Sequence, residues 1–259
     1  MSGRPPLPSL ALFFLCGFLC APAVAAPAAA KHEFRWTPLM LSLHPDLLIL
    51  PRARAVYGLE LSLGMSAAQK VRGFQVAALW AQSRDVRGFQ IGALRAESRD
   101  VDGFQVALFP SALMAIRGGQ VGLINNLKFE EGSERVRVYG FQIGSMNAAR
   151  RVDGLQAGVV NTCYRLRGGQ LGALNYSAEV AAFQIGGINL IGLDPARDEL
   201  AKGLQIGLFN LTTTEFKGLQ IGIFNSCRRL RGVQIGLINY VSHPNQPRLL
   251  LVPLINAGW

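Results

Sequence analysis

The side chains in this chain that could do chemistry are few, and their spacing does not suit it. Histidine occurs three times, at His32, His44 and His243. No two of them stand at a metal-ligand spacing, and none has a cysteine nearby, so they read as surface or loop residues. No nucleophile elbow marks a Ser-His-Asp arrangement. A glycosidase pair of carboxylates would break the local pattern where it occurs. Instead Asp85, Asp100 and Asp153 recur at equivalent places beside Arg84, Arg99 and Arg151, which is the pattern of ion pairs in repeated connections. A calcium-binding repeat needs Gly-Gly-x-Gly-x-Asp, and glutamine stands where that aspartate should be. The glycines ignore the spacing of phosphate loops. The expectation is therefore a protein that is not an enzyme, with no catalytic residue, cofactor or metal site.

What does recur is an amide. Glycine or alanine, any residue, then glutamine begins at Gly73, Gly88, Gly103, Gly118, Gly140, Gly154, Gly168, Ala182, Gly203, Gly218 and Gly232. A degenerate copy at Gly58 carries Glu60 in place of the amide. Successive starts from Gly58 lie 15, 15, 15, 15, 22, 14, 14, 14, 21, 15 and 14 residues apart. The glutamines are Gln75, Gln90, Gln105, Gln120, Gln142, Gln156, Gln170, Gln184, Gln205, Gln220 and Gln234. With the glycine as slot one, slot eight is asparagine in the later copies: Asn125, Asn147, Asn161, Asn175, Asn189, Asn210, Asn225 and Asn239. Slots four and seven are apolar in almost every copy, and slot two is mostly Phe or Leu. Two longer connections, Asn126 to Tyr139 and Leu190 to Lys202, hold the extra residues, as surface insertions in repeat proteins do.

The elements that position these amides are strands, because slots two and four alternate with Gly, Gln and Gly and no helical period is sustained. Two all-β folds fit tandem repeats of 14–15 residues. The favoured one is a β-solenoid with one coil per repeat. Slots two, four, seven, ten and thirteen would point inward, and the Gln and Asn side chains of successive coils would form structural ladders, amide on amide. The alternative is an up-and-down outer-membrane β-barrel with one strand per repeat, acting as a pore or transporter. Slot seven breaks the alternation a barrel strand requires, and three outward apolar residues are few for its lipid band. The aromatic end, Trp259, and added strands near Leu39–Leu43 and Leu249–Ile255 favour it.

Residues 1–25 read as a signal peptide. Arg4 supplies the charge, Leu10–Leu19 the apolar stretch and Ala23-Val24-Ala25 the small-residue cleavage site. Residues 26–55 are a lead-in segment, and 56–259 are a single β-repeat domain. Removing the signal takes away Arg4 and no acid, so the net charge falls from +10 to +9. Such a basic exported chain can meet envelope polymers, anionic lipid or another surface protein, and membrane association fits. Nucleic acid is not an expected partner, because the arginines are interleaved with Asp and Glu and no aromatic platform accompanies them. The mature chain keeps Cys163 and Cys227 in the tenth slot of their repeats, a slot that also holds Ala149 and Ser177. In a stack rising about 4.8 Å per coil they lie about 19 Å apart. A disulfide needs Cα atoms within about 7 Å, so free thiols are expected.

The units Gly203–Asn210, Gly218–Asn225 and Gly232–Asn239 resemble the tandem Gly-Leu-Gln-Ile-Gly-Leu-x-Asn units of a bacterial envelope surface-repeat family, found in spirochaetes and proteobacteria. Val56–Leu63 and Pro253–Trp259 are similar to that family's ends, so the resemblance spans the repeat domain. It implies an exported protein of the outer membrane or cell surface, or of the periplasm, with a structural, adhesive or scaffolding role. It implies no catalytic residue, cofactor or defined ligand. The early copies depart from the pattern, with Trp80, Arg95 and Pro110 in slot eight. That end is expected to be a cap or a different face.

Overall fold

The computed structural model describes residues 35–44, 47–48, 54–125, 137–192, 201–242 and 250–258. All of them belong to one compact unit, His32–Trp259. The signal segment, most of the lead-in, most of both long connections, His32, His243 and Trp259 lie outside the described residues.

Every described element is a strand: β1 (Thr37–His44), β2 (Leu47–Leu48), β3 (Ala55–Ser62), β4 (Met65–Ala77), β5 (Trp80–Gly92), β6 (Arg95–Val106), β7 (Phe109–Val121), β8 (Ile124–Asn125), β9 (Arg137–Ile143), β10 (Met146–Ala157), β11 (Val160–Ile191), β12 (Ala201–Thr212), β13 (Glu215–Cys227), β14 (Arg229–Val241) and β15 (Leu250–Gly258). From β3 to β14 each strand pairs in parallel with the next coil's strand, and the repeats fix the register. Gly203 lies opposite Gly218 and Gly232, and Gln205 opposite Gln220 and Gln234. The β11 strand runs through two coils without a break. The chain is therefore a parallel β-solenoid with one coil per repeat. The barrel alternative falls, since its strands would be antiparallel and closed on themselves, whereas this stack has two ends. At one end β1 adds in parallel to β3, and β2 folds back on β1. At the other end β15 caps β14 in antiparallel fashion, setting Asn256 opposite Gln234.

The motif glycine is required by the backbone. Gly218 has φ of 146°, in the region that favours glycine, and a β-carbon there would overlap the Gly203 carbonyl oxygen. Glycine in slot five is hemmed in by two neighbours. A β-carbon on Gly222 would overlap the Gly207 carbonyl oxygen and sit 2.7 Å from the Asn210 amide nitrogen, so the backbone and the asparagine of the coil beneath together leave it no room.

The interior departs from the expected set of inward slots. Slot ten does point inward, as Ala149, Cys163, Ser177 and Cys227 show. So does the residue two before the motif glycine, including Val86, Val101, Ile116, Val152, Leu166, Val180, Phe216 and Leu230. Slots two, four and seven do not. Phe74, Phe89, Ile91, Leu94, Ile185, Phe209 and Ile238 are all exposed. Strand alternation explains the correction: Gln in slot three takes the inward direction, so its neighbours in slots two and four must face out. Cys163 and Cys227 are buried free thiols.

Candidate interaction face

Two columns of amides fill the interior. Asn256 Nδ2 donates to Gln234 Oε1, Gln234 Nε2 to Gln220 Oε1, and the relay continues through every motif glutamine to Gln75, whose Nε2 donates to Glu60 Oε2. The twelve bonds measure 2.6–3.0 Å. The asparagines form a second column from Asn125 to Asn239, with bonds of 2.6–2.9 Å. Each of these Nδ2 groups also donates to a main-chain carbonyl one coil on, at 2.8–3.0 Å. Both columns are almost wholly removed from solvent, with the motif glutamines and asparagines at 0–1% exposure and Asn256 at 7%. The two relays run in opposite directions: Gln234 donates back toward the N-terminal end, while Asn225 donates forward to Asn239. Their aligned dipoles therefore oppose one another in the coils from Asn125 to Asn239, where both columns run.

The degenerate copy ends the first relay. Glu60 pairs in register with Met40 of β1, which offers no acceptor, so an amide there would point a donor at a thioether. The Glu60 carboxyl accepts from Gln75 through Oε2 at 3.0 Å, while its Oε1 meets no partner. Burial pushes its pKa up to about 7, partly offset by hydrogen bonds with Ser66 and Gln75. Asn125 begins the second relay; its Oδ1 meets no donor, because the preceding coil has Pro110 in slot eight. The earlier coils satisfy their glutamines with serine instead: Gln75, Gln90 and Gln105 donate to Ser66, Ser83 and Ser98.

With amides inside, the apolar residues of slots two, four, six and seven stand outside. Across the twelve coils no charged residue occupies any of these slots, and Ser145 is their one polar side chain. The face is fully apolar where Leu208 and Leu237 reach 53% and 62% exposure. There slots four and six flank the slot-five glycines and form a trough of about 890 Å³, lined by Ile206, Ile221, Ile235, Leu208, Ile223 and Leu237 among others and closed by Leu254 and Ile255 of β15. Leu254 lies opposite glycine Gly236. Its φ of 70° leaves its side chain 66% exposed over the trough. Toward the other end, Phe74, Phe89 and Phe104 stack with centroids 5.1 and 5.3 Å apart.

One edge of this face is basic. The column immediately before the motif glycine reads Tyr57, Arg72, Arg87, Asp102, Arg117, Tyr139, Asp153, Arg167, Ala181, Lys202, Lys217 and Arg231. Asp102 pairs with Arg87 and Arg117 at 3.7 and 2.8 Å, and Asp153 with Arg151 at 2.8 Å. Arg99 and Asp100 lie 3.7 Å apart. These ion pairs sit within strands and not in connections. An aromatic column thus does accompany the arginines, contrary to the expectation from sequence. Its phenylalanine rings cover one another's faces, however, and leave mainly edges open, whereas base stacking needs an open face.

Among the described residues no group of three or more His, Cys, Asp and Glu is placed to hold a metal ion. Among the described residues no helix is long and apolar enough to cross a membrane. The glutamine and asparagine columns were legible as repeated identities. The outward apolar face was not, although the one-residue offset between Gln and its neighbours was the available signal. The coupling of slots five and eight was also readable: every copy with asparagine in slot eight has glycine in slot five. The fold and the face together define a class, a β-solenoid with a polar amide interior and an apolar, basic-edged exterior. Comparison with protein families, curated proteins and solved structures gives no match to the chain.

Proposed function

We propose that this protein is exported to the bacterial envelope or cell surface and acts there without catalysis, as an extended scaffold or adhesive element. The observation that carries this reading is the uncharged apolar face repeated coil after coil. A reaction centre needs one place that differs from its neighbours, and this face offers the same residue types at each level. Monomeric soluble proteins rarely leave contiguous apolar patches of more than a few hundred Å² exposed, and larger ones mark interaction sites. The signal-like residues 1–25 and the resemblance of Gly203–Asn239 to envelope surface repeats support export. The partner classes that suit a basic, apolar surface are envelope polymers, anionic lipid and other surface proteins. The barrel on which a pore reading depended is absent, and that reading is not carried forward.

Cell fractionation tests the proposal. The expected result is a mature chain, shortened at its N-terminus, recovered with the envelope or released outside the cytoplasm. Recovery of the unshortened chain in the cytoplasm overturns it.

A further inference from the structure

The trough, the exposed leucines and the basic edge converge on the same coils, and we propose that this face seats the solenoid on an anionic lipid leaflet. The inference rests on the envelope reading above and supplies its partner. Three observations carry it. First, the four outward columns contain a single hydroxyl and no charge. Protein–protein interfaces carry about one hydrogen bond per 100–200 Å², and these columns offer a protein almost no such group. An acyl layer requires none. Second, Lys202, Lys217 and Arg231 stand opposite one another in register, about 4.8 Å apart per coil. Like charges directly opposite are destabilising. Glu215 pairs with Arg231 at 2.7 Å, which leaves the two lysines adjacent at the edge of the apolar face. Anionic headgroups beside an acyl layer meet both needs at once, as in interfacial proteins generally. Third, Leu254 holds a left-handed φ of 70° with its side chain exposed beside the trough. Such a conformation in a non-glycine residue is strained and clusters at functional sites.

A second copy of the chain would bring another apolar face but also another basic edge, whose two aspartates, Asp102 and Asp153, are already paired with arginines. Lipid is the occupant that complements both features.

The test is flotation of the purified mature chain with vesicles of phosphatidylcholine alone or of phosphatidylcholine with phosphatidylglycerol. The chain is expected to float with the anionic vesicles, and less so as salt is raised. Leu208→Glu combined with Leu237→Glu changes two exposed positions, so the fold is retained, as circular dichroism will verify. Partition should fall about 100-fold or more, since each leucine no longer buried forfeits roughly tenfold or more. Lys202→Gln with Lys217→Gln should weaken binding to anionic vesicles about 30-fold, from roughly fivefold per lysine, and leave binding to neutral vesicles unchanged. The proposal is overturned if the chain does not float with anionic vesicles, or if the leucine variant floats like the parent. It is also overturned if light scattering shows a dimer that the leucine variant breaks while neither form floats. A chain found in the cell envelope that ignores vesicles removes the lipid inference alone; a cytoplasmic chain removes the envelope reading whatever the vesicles show.

Discussion

Replacing Gln205 with leucine cuts the longer relay in its most regular part, and the loss can be worked from its bonds. Gln205 is 1% exposed. Its Nε2 donates to Gln184 Oε1 at 3.0 Å, and its Oε1 accepts from Gln220 Nε2 at 2.6 Å and from Thr212 Oγ1 at 3.1 Å. Leucine can make none of these bonds. Gln184 Oε1 then lies in a dry interior without that donor, and an orphaned buried acceptor costs about 1–3 kcal/mol. Gln220 Nε2 keeps only longer contacts to Thr212 and Ser226, at 3.4 and 3.5 Å. The two weakened partners add about 1 kcal/mol each. Better burial of the leucine methyls returns about 1 kcal/mol, and the net loss is about 2–4 kcal/mol. Each coil touches only its neighbours, so the change should be local before it is global. Amide exchange should quicken first in Ala201–Thr212 and the coils on either side, and urea unfolding should move to lower concentration. Leu208→Gln, on the exposed face of the same coil, should shift stability by no more than about 0.5 kcal/mol. Unchanged stability in both Gln205→Leu and Gln220→Leu, or an equal loss in Leu208→Gln, would refute the ladder as the source of cohesion.

Glu60 gives the stack a pH dependence of known sign. Its folded pKa of about 7 lies above the ordinary 4.5, so the folded state holds the proton more tightly. Its contribution to stability is full below about pH 4.5 and is lost as pH rises to about 7, by on the order of 3 kcal/mol. Thermal melts across that window should flatten in Glu60→Gln; an identical slope in both proteins would exclude Glu60 as the cause. Gly218→Ala places a β-carbon against the Gly203 carbonyl at a φ of 146°, and should lose about 3 kcal/mol or more by chemical denaturation; a parent-like midpoint would mean that the coil spacing adjusts freely. Cys163 and Cys227 are buried, and burial pushes both thiols up, Cys227 to about 12. In the mature chain an aromatic disulfide reagent should react with neither at pH 8 until the stack unfolds; prompt reaction of the native protein would contradict their burial.

The repeat period defines the 14–15-residue unit but leaves solenoid and barrel open; once the coils stack in parallel, each residue is set against its equivalent and the register and the two amide columns follow from the sequence. The direction in which side chains point was harder. Phe74, Leu79 and Ile91 look like core residues by type, and hydrophobicity alone assigns them inward. The structure reverses this because Gln75 and Gln90, spaced one residue from their apolar neighbours, are hydrogen-bonded inside the coil to the column, to Ser66 and Ser83 and to main-chain carbonyls, so their burial carries little penalty. The ends of the columns were also not legible. Nothing in the composition of Val56–Leu63 says that Met40 will lie opposite Glu60, nor does Pro253–Ala257 announce that Asn256 will close the glutamine relay in antiparallel register. Those placements depend on contacts beyond the repeat, which a period cannot encode.

Amides inside and hydrocarbon outside make this coil the reverse of an ordinary globular core, and the reversal bears on function. A buried column of amides is tolerable only if every member is satisfied, which explains why Gln and Asn recur with so little variation in slots three and eight. Once the interior is closed in that way, stability places little demand on the outward columns. A solvated face would then be expected to fill slots two, four, six and seven with Lys, Glu, Ser or Thr, as the variable part of the strands between motifs does with Arg84-Asp85 and Arg99-Asp100. Instead those slots hold one hydroxyl, Ser145, and no charge through twelve coils, and seven basic residues line one edge. Leaving Leu208, Ile223 and Leu237 in water gains nothing for folding, so their retention points to a contact made after folding. The periodicity of the face fixes the form of that contact: it must accept the same residue types every coil, over about 50 Å of stack, and must not depend on any one position. A fluid layer of lipid meets that requirement, and a partner with a single binding site does not.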